Sequence, residues 1–416
     1  MQNPCQFFKT MPKDARVPFV LLFVLCPIVI FYSRYATIIL SISFIWACFY
    51  LRKTWTPSAV FSILQRQIAP TDKMERYLNY GLVVVGFFDL FRPYSDHVIE
   101  LRMFLLLIAG FIWWQSVVYL KAISYLRAAL FCGVVVASII IFVDYFCGSV
   151  WLSLHPDKSP AALFSIVAMT ISTVIWPIMA RQSFWKTALF SLLIIVLMPI
   201  LDCDTAVVGV MLGLMCYGLG AMQTKLFWRF IQAKIVIICI ALPFFFNTFM
   251  TKEMILDINH SAPIFSYIHR LYIWQFTSQK IMERPFIGFG INAALKPDVG
   301  GGHAKWEFFE HRHNEKDLVK TEFISRQINF HPHNAILQWW LETGLVGVLW
   351  WCALLVFIVE KIRCLPLRAR RITFAFFATN MMIILVSIGF WQTWWWATWL
   401  LLLPFVAADR DEEEHQ

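Results

Sequence analysis

Apolar runs of roughly 17–23 residues recur along most of the chain, separated by short polar segments. Each is long enough, as a helix, to cross the hydrocarbon core of a bilayer. The pattern predicts twelve spans, at approximately 17–33, 35–51, 77–91, 100–120, 128–148, 160–180, 186–201, 204–222, 230–249, 333–358, 372–389 and 391–407. One stretch breaks the rhythm. From about 250 to 332 there is no span, and a segment of roughly 80 residues is far longer than a connection needs, a length at which loops usually carry function. The chain therefore divides into an N-terminal membrane bundle of about nine spans at 1–249, a loop at 250–332, and C-terminal spans with a tail at 333–416.

Inside the loop the pattern changes twice. Ile264, Tyr267, Ile268, Leu271, Trp274 and Ile281 fall at helical spacing and predict an amphipathic helix lying at the membrane interface. Arg284-Pro285 ends it, and Gly288-Phe289-Gly290 makes a flexible turn. From Lys296 to Ile328 the chain is polar, mixed in charge and opened by Gly300-Gly301-Gly302, which reads as a mobile insertion. No internal repeat or low-complexity tract is evident.

Composition sharpens the class. Of 416 residues, 59% are hydrophobic and only 15% charged, with a mean hydropathy of +0.65. A soluble chain carries about a quarter charged residues and could not solvate so much apolar surface. The expectation is an all-α polytopic membrane protein. The net charge of +9 does not point to nucleic acid, because the basic residues sit in short clusters between apolar runs. With the N-terminus cytoplasmic, Arg52, Lys53, Arg66, Lys73, Arg76, Lys121, Arg127, Arg181, Lys186, Lys225, Arg229, Lys234, Lys361, Arg363, Arg368, Arg370 and Arg371 all fall on the cytoplasmic side. Short loops opposite hold little beyond Arg34, Arg92 and Lys158. This positive-inside pattern places both termini, including the acidic tail Asp409–Glu414, in the cytoplasm and the long loop outside. Lys9, Lys13 and Arg16 precede a first apolar run without a small-residue cleavage pattern, so that run reads as a span. The ten cysteines show no metal-ligand spacing. Cys147 and Cys203 fall near helix ends on one side, where a bridge between them is an open option.

The polar loop meets the next apolar run at His331-Pro332-His333-Asn334. Ionisable groups at the mouth of a membrane helix are expensive to place without a purpose. Pro332 and Asn334 fit a helix start, which would project His333 from the first turn into an external vestibule. Gln338 and Glu342 follow at later turns on roughly the same side, and Gly344 and Gly347 would let another helix approach closely. A neutral imidazole there can take a proton from a hydroxyl. The plainer reading is an interfacial histidine at a helix end. Nucleotide chemistry is not indicated, since neither GxxxxGK[ST] nor GxGxxG after a strand occurs. His303, His311 and His313 are interrupted by Arg312 and read as a solvated loop rather than a metal cluster. Arg34, Arg92, Asp96, His97 and His155 share the external side and could line an anion groove, though each alone is an ordinary interfacial residue. Trp391, Trp394, Trp395, Trp396 and Trp399 read first as an interfacial belt and second as a sugar-stacking surface.

The run H-x-H-N-x-x-L-Q-x-x-x-E-x-G-x-x-G from His331 to Gly347 resembles the signature of the O-antigen ligase and O-antigen polymerase superfamily. Upstream, Arg270-Leu271-Tyr272-Ile273-Trp274 and Pro285-Phe286-Ile287-Gly288-Phe289-Gly290 resemble the R-x-x-x-W…P-x-x-G-x-G element of that family. The resemblance implies a membrane-embedded C-type glycosyltransferase architecture in the bacterial inner membrane, working at the periplasmic face without metal, nucleotide or other cofactor. It implies a glycan donor linked to undecaprenyl pyrophosphate and a lipid A-core acceptor, both met within the membrane lipid. By the same resemblance His333 is the catalytic histidine and Arg270 binds the carrier pyrophosphate, with Asn334, His331, Arg284 and Asp204 as further substrate-binding candidates.

One departure stands out. Where many members carry S-R-x-A, this chain reads Cys203-Asp204-Thr205-Ala206, with Asp202 before it. Carboxylates there would repel a diphosphate; they would instead orient an acceptor hydroxyl, pair with an arginine or stabilise a helix N-terminus. Arg284 or Arg92 would then supply the missing cation. The motifs report donor handling and proton transfer, so O-antigen ligase, O-antigen or capsule polymerase and protein O-oligosaccharyltransferase all remain open, with ligase foremost. A polyprenyl-lipid flippase or transporter would predict inverted repeats and mid-membrane charges. Neither is seen in the sequence.

Overall fold

The computed structural model describes residues 10–31, 33–52, 96–120, 122–146, 160–179, 203–261, 265–311, 318–328 and 331–407, with isolated residues at 77, 78, 80, 185, 189, 191 and 192. Its helices are α1 (Arg16–Phe31), α2 (Tyr35–Leu51), α3 (His97–Leu120), α4 (Ile123–Phe146), α5 (Pro160–Met179), α6 (Asp204–Leu219) and α7 (Lys225–Phe249), then α8 (Lys252–Ser261) and α9 (Phe265–Glu283). After a hairpin of β1 (His303–His311) and β2 (Leu318–Arg326) come α10 (Ala335–Arg363), α11 (Leu367–Val386) and α12 (Thr393–Ala407). The third and seventh spans expected from the sequence lie largely outside the described residues, as do Arg92, Cys147, His155 and Asp202.

Five of these helices, α3, α4, α7, α10 and α11, are long and apolar enough to cross a membrane, and α2, α5, α6 and α12 contain shorter apolar helical stretches. Their outer faces carry exposed Ile38, Ile42, Ile45, Phe49, Leu101, Phe104, Leu105, Ile237, Phe244 and Phe245, a surface that only a lipid environment solvates well. The protein is a helical multi-pass membrane protein. Packing inside the bundle is knitted by polar bonds, as expected where lipid offers no hydrophobic drive between helices. Thr379 of α11 donates to the Gly209 carbonyl of α6 at 2.9 Å and accepts from the Trp176 indole of α5 at 2.9 Å. Thr173 donates to Asn380 Oδ1 at 3.0 Å, tying α5 to α11.

The loop is more ordered than its polarity suggests. The segment expected to be a mobile insertion contains an antiparallel hairpin, with His303 opposite Arg326 and Trp306 opposite Phe323. Trp306 is buried against Tyr272 of α9, their ring centroids 4.7 Å apart, in a small apolar cluster with Ile255 and Ile268. Helix α9 accordingly does more than lie at an interface. It buries Ile268 and Tyr272 toward this cluster and Ile273 and Ile281 toward the main core. The tryptophan run is also not a solvent-facing belt. Trp394 and Trp395 are buried, Trp391 is bonded to Glu342, and the Trp396 indole donates to the Phe390 carbonyl at 2.6 Å.

Helix α10 is broken. At Gly344 the backbone takes φ 59°, ψ −164°, a region open essentially to glycine alone. The break frees backbone groups, and the turn after α9 takes them up: Phe289 N–H donates to the Leu341 carbonyl, Gly290 N–H to the Glu342 carbonyl, Leu345 N–H to Pro285 and Val346 N–H to Phe286, at 2.8–3.2 Å. Irregular backbone inside a membrane bundle is tolerated where protein satisfies it in this way. A Cβ on Gly344 would sit 2.4 Å from the Phe286 carbonyl carbon, and one on Gly288 (φ 70°) would sit 2.5 Å from that of Glu342. The glycines of the two motifs therefore serve one junction. Gly344 breaks its own helix rather than admitting a neighbouring one, and Gly347 faces Thr343 of the same helix.

Candidate functional site

His331, Pro332 and His333 form a short loop between the hairpin and α10, braced from three sides. From α9, the Trp274 indole donates to the Pro332 carbonyl at 2.9 Å. From the end of α11, the Ser387 carbonyl meets His333 Nδ1 at 2.8 Å. Within the loop, His333 N–H donates to His331 Nδ1 at 3.2 Å, and the two rings lie 4.2 Å apart between centroids. His333 precedes the helix rather than projecting from its first turn, with φ +54°, a strained conformation for a histidine. Asn334 is the helix N-cap, buried, its Oδ1 accepting from Leu337 N–H at 3.1 Å, so this side chain is committed to capping.

The Ser387 bond fixes the chemistry of His333. A carbonyl can only accept, so Nδ1 carries the proton and Nε2 presents a lone pair. Burial, reinforced by the nearby Arg270 and His269 charges, pushes the His333 pKa down to about 4 against the opposing pull of the Ser387 carbonyl. His331 is pushed well below the usual histidine range, by burial and then by His333. Both rings are neutral at physiological pH.

Arg270 and Trp274 stand one turn apart on α9, hence on one face. That spacing explains the R-x-x-x-W element: the tryptophan holds the histidine loop while the arginine is set in a cavity beside it. This cavity, of about 260 Å³, lies among α6, α9 and α11 and is lined by Asp204, Thr205, Tyr267, Arg270 and Trp274, with Val208, Leu271, Met382 and Val386 as apolar walls. Burial lowers the Arg270 pKa from its ordinary value, and the neighbouring Tyr267, Cys203 and Asp204 raise it. Asp204 accepts from the Tyr267 hydroxyl at 2.7 Å, which raises the phenol's pKa. The carboxylate thus stands where the resemblance expects a cation, in the field of Arg270. Arg284 does not join them. It is exposed, its guanidinium lies over the Phe289 ring at 5.3 Å, and it follows the last residue of α9, about 20 Å along the helix from Arg270. Cys203 is a free, buried thiol donating to the Ser165 carbonyl at 3.7 Å.

A second cavity, of about 730 Å³, opens on the other side of the loop. Its walls include Ser33, Arg34, Ile99, Arg102, Asn292, His331, Gln338, Trp391, Gln392 and Trp394. Behind it Glu342 is fully buried and accepts from Gln338 Nε2 at 2.9 Å, from Asn292 N–H at 3.1 Å and from the Trp391 indole. Asn292 in turn donates to Asp96 Oδ2 at 3.2 Å, while Asp96 Oδ1 accepts from the first turn of α3. Gln338, Glu342 and Asp96 are therefore scaffold, joining the turn after α9 to α3, α10 and the start of α12. Sequence reasoning missed Tyr267, Arg102 and Gln392. Tyr267 falls on the apolar face of its helix, which hides its hydroxyl from a pattern reading; for the other two the signal is a polar side chain inside an apolar run.

The fold and site together define a multi-pass helical membrane protein with a half-buried, neutral histidine pair between an arginine-bearing cavity and a larger polar one. In sequence the chain is similar to the O-antigen ligase superfamily. Residues 189–352 match the family model described as O-antigen ligase. Similar curated proteins are provisionally named polysaccharide ligases: one from Rickettsia typhi is 24% identical over 328 residues, spanning 77% of this chain and 76% of its own. One from Rickettsia conorii is 24% identical over 319 residues, spanning 74% and 73%, and one from Rickettsia prowazekii is 24% identical over 331 residues, spanning 77% and 76%. No solved structure matches the chain.

Proposed function

We propose that this protein is an O-antigen ligase-type glycosyltransferase of the bacterial inner membrane. It moves a polysaccharide from undecaprenyl pyrophosphate to a hydroxyl of the lipid A core at the periplasmic face. The observation that carries the reading is the single-proton arrangement at His333, whose Nδ1–H is spent on the Ser387 carbonyl and whose Nε2 is free to accept. Nε2 takes the proton of the acceptor hydroxyl as its oxygen bonds to the anomeric carbon. The bond from that carbon to the diphosphate oxygen breaks with its electron pair on the oxygen, and the additional negative charge of the departing lipid diphosphate is met by the Arg270 guanidinium while His333 holds the acceptor proton. The donor bond supplies the driving force. Val208, Leu271, Met382 and Val386 beside Arg270 suit an isoprenoid chain attached to that diphosphate.

The test is reconstitution of the full chain with undecaprenyl-pyrophosphate glycan and rough lipopolysaccharide, in chelator and without nucleotide. A glycan ladder on lipid A core is the expected product. Longer glycan still on the carrier would make the protein a polymerase, and donor left intact with every acceptor tried would overturn the reading.

A further inference from the structure

We propose that the cavity bounded by Arg34, Arg102 and His331 is the acceptor subsite and that it takes a saccharide bearing an anionic substituent. The inference rests on the transferase reading given above. Two cavities flank one histidine loop, and their chemistry differs. The smaller has apolar walls beside one arginine, which suit a lipid-linked phosphate entering from the bilayer, while Asp204 is engaged by the Tyr267 hydroxyl. The larger, at about 730 Å³, lies within the size of ordinary small-ligand sites and is walled by amides, hydroxyls and indoles. Gln392, held by the Trp394 indole and facing the His331 ring, and the half-buried Trp391 give this wall a polar edge beside an aromatic one.

Its charge sets the specificity. Arg34 and Arg102 both line it, and no carboxylate does so among the described lining residues. Two arginines lining one cavity suit phosphate or carboxylate, which they recognise through charge-assisted hydrogen bonds. The group they bind is not the reacting one. Arg270 acts on His333 electrostatically, whereas His331 is the pair's contribution to this cavity's wall. An anionic substituent held at the two arginines would anchor the acceptor at a distance while its hydroxyl reaches past His331 to His333, remote binding used to orient the reacting centre.

The experiment uses the full chain in proteoliposomes with three acceptors: native rough lipopolysaccharide, the same material stripped of phosphate, and a carboxyl-reduced form. Acceptor binding is measured without donor, and acceptor and donor KM are measured with it. Removing the recognised anion should weaken acceptor binding and raise acceptor KM about tenfold, the scale of one lost charge-assisted bond. Arg102→Ala and Arg34→Gln should do the same with native acceptor, add nothing once the anion is gone, and leave donor KM unchanged. Which chemical stripping matters identifies phosphate or carboxylate. A rise in donor KM instead, or indifference of the wild type to both treatments, overturns the assignment. Arginine-dependent binding without any transfer would keep the subsite and refute the transferase reading. Transfer without arginine dependence would do the reverse.

Discussion

At pH 7 a histidine of ordinary pKa keeps a protonated minority, whereas burial beside Arg270 leaves His333 with a pKa pushed down to about 4. A base in that state is available across the whole neutral range. Transfer should therefore hold nearly flat from pH 8 to about pH 5.5 and fall only as the pH approaches 4, read as the pH profile of single-turnover transfer. An inflection near 6.5 would contradict the buried, neutral ring. Linkage runs the same way: below 6.5 the unfolded chain binds a proton that folded His333 refuses, so stability declines as pH falls from 6.5 toward 4. Arg270→Lys keeps the charge but loses the planar fork. It should cut transfer at least tenfold with protein level unchanged; full activity would remove the arginine from diphosphate binding. His333 and Arg270 stood out in the sequence as candidates because their residue types and spacings sit in motifs. The left-handed backbone of His333 and its bond to Ser387, 54 residues away, were not, since neither leaves a local pattern.

At the scale of elements, the helix positions follow the apolar periodicity closely, from α2 at Tyr35–Leu51 to α11 at Leu367–Val386. The pattern could not show that α10 is two helical pieces. Its hydropathy runs unbroken through Gly344, and the partner that satisfies the break lies in the Pro285–Gly290 turn. Gly344→Ala should destabilise the protein by about 3 kcal/mol or more, through a forbidden backbone region and a Cβ driven into Phe286. Melting in detergent, followed at the tryptophans, would show it; a wild-type melting point would mean the break is not required. The hairpin was missed for another reason. Its charged residues dominate the composition, while the alternation that places Ala304 and Trp306 on one face is only a few residues long.

For the whole molecule, the histidine loop is where distant parts of the chain converge: α9 through Trp274, the end of α11 through Ser387, and the α11–α12 junction, where Gly389 packs against the His331 ring. Hydropathy could order the spans, but not say which helix ends meet. That follows from long-range packing. The measurement that bears most directly on the account is glycan transfer by His333→Ala beside wild type, in the same proteoliposomes, with protein amount, fold and acceptor binding verified equal. Transfer should be lost while acceptor binding persists, because only the proton acceptor has been removed. Wild-type transfer by the alanine variant would contradict it, and the role of His333 would then be structural.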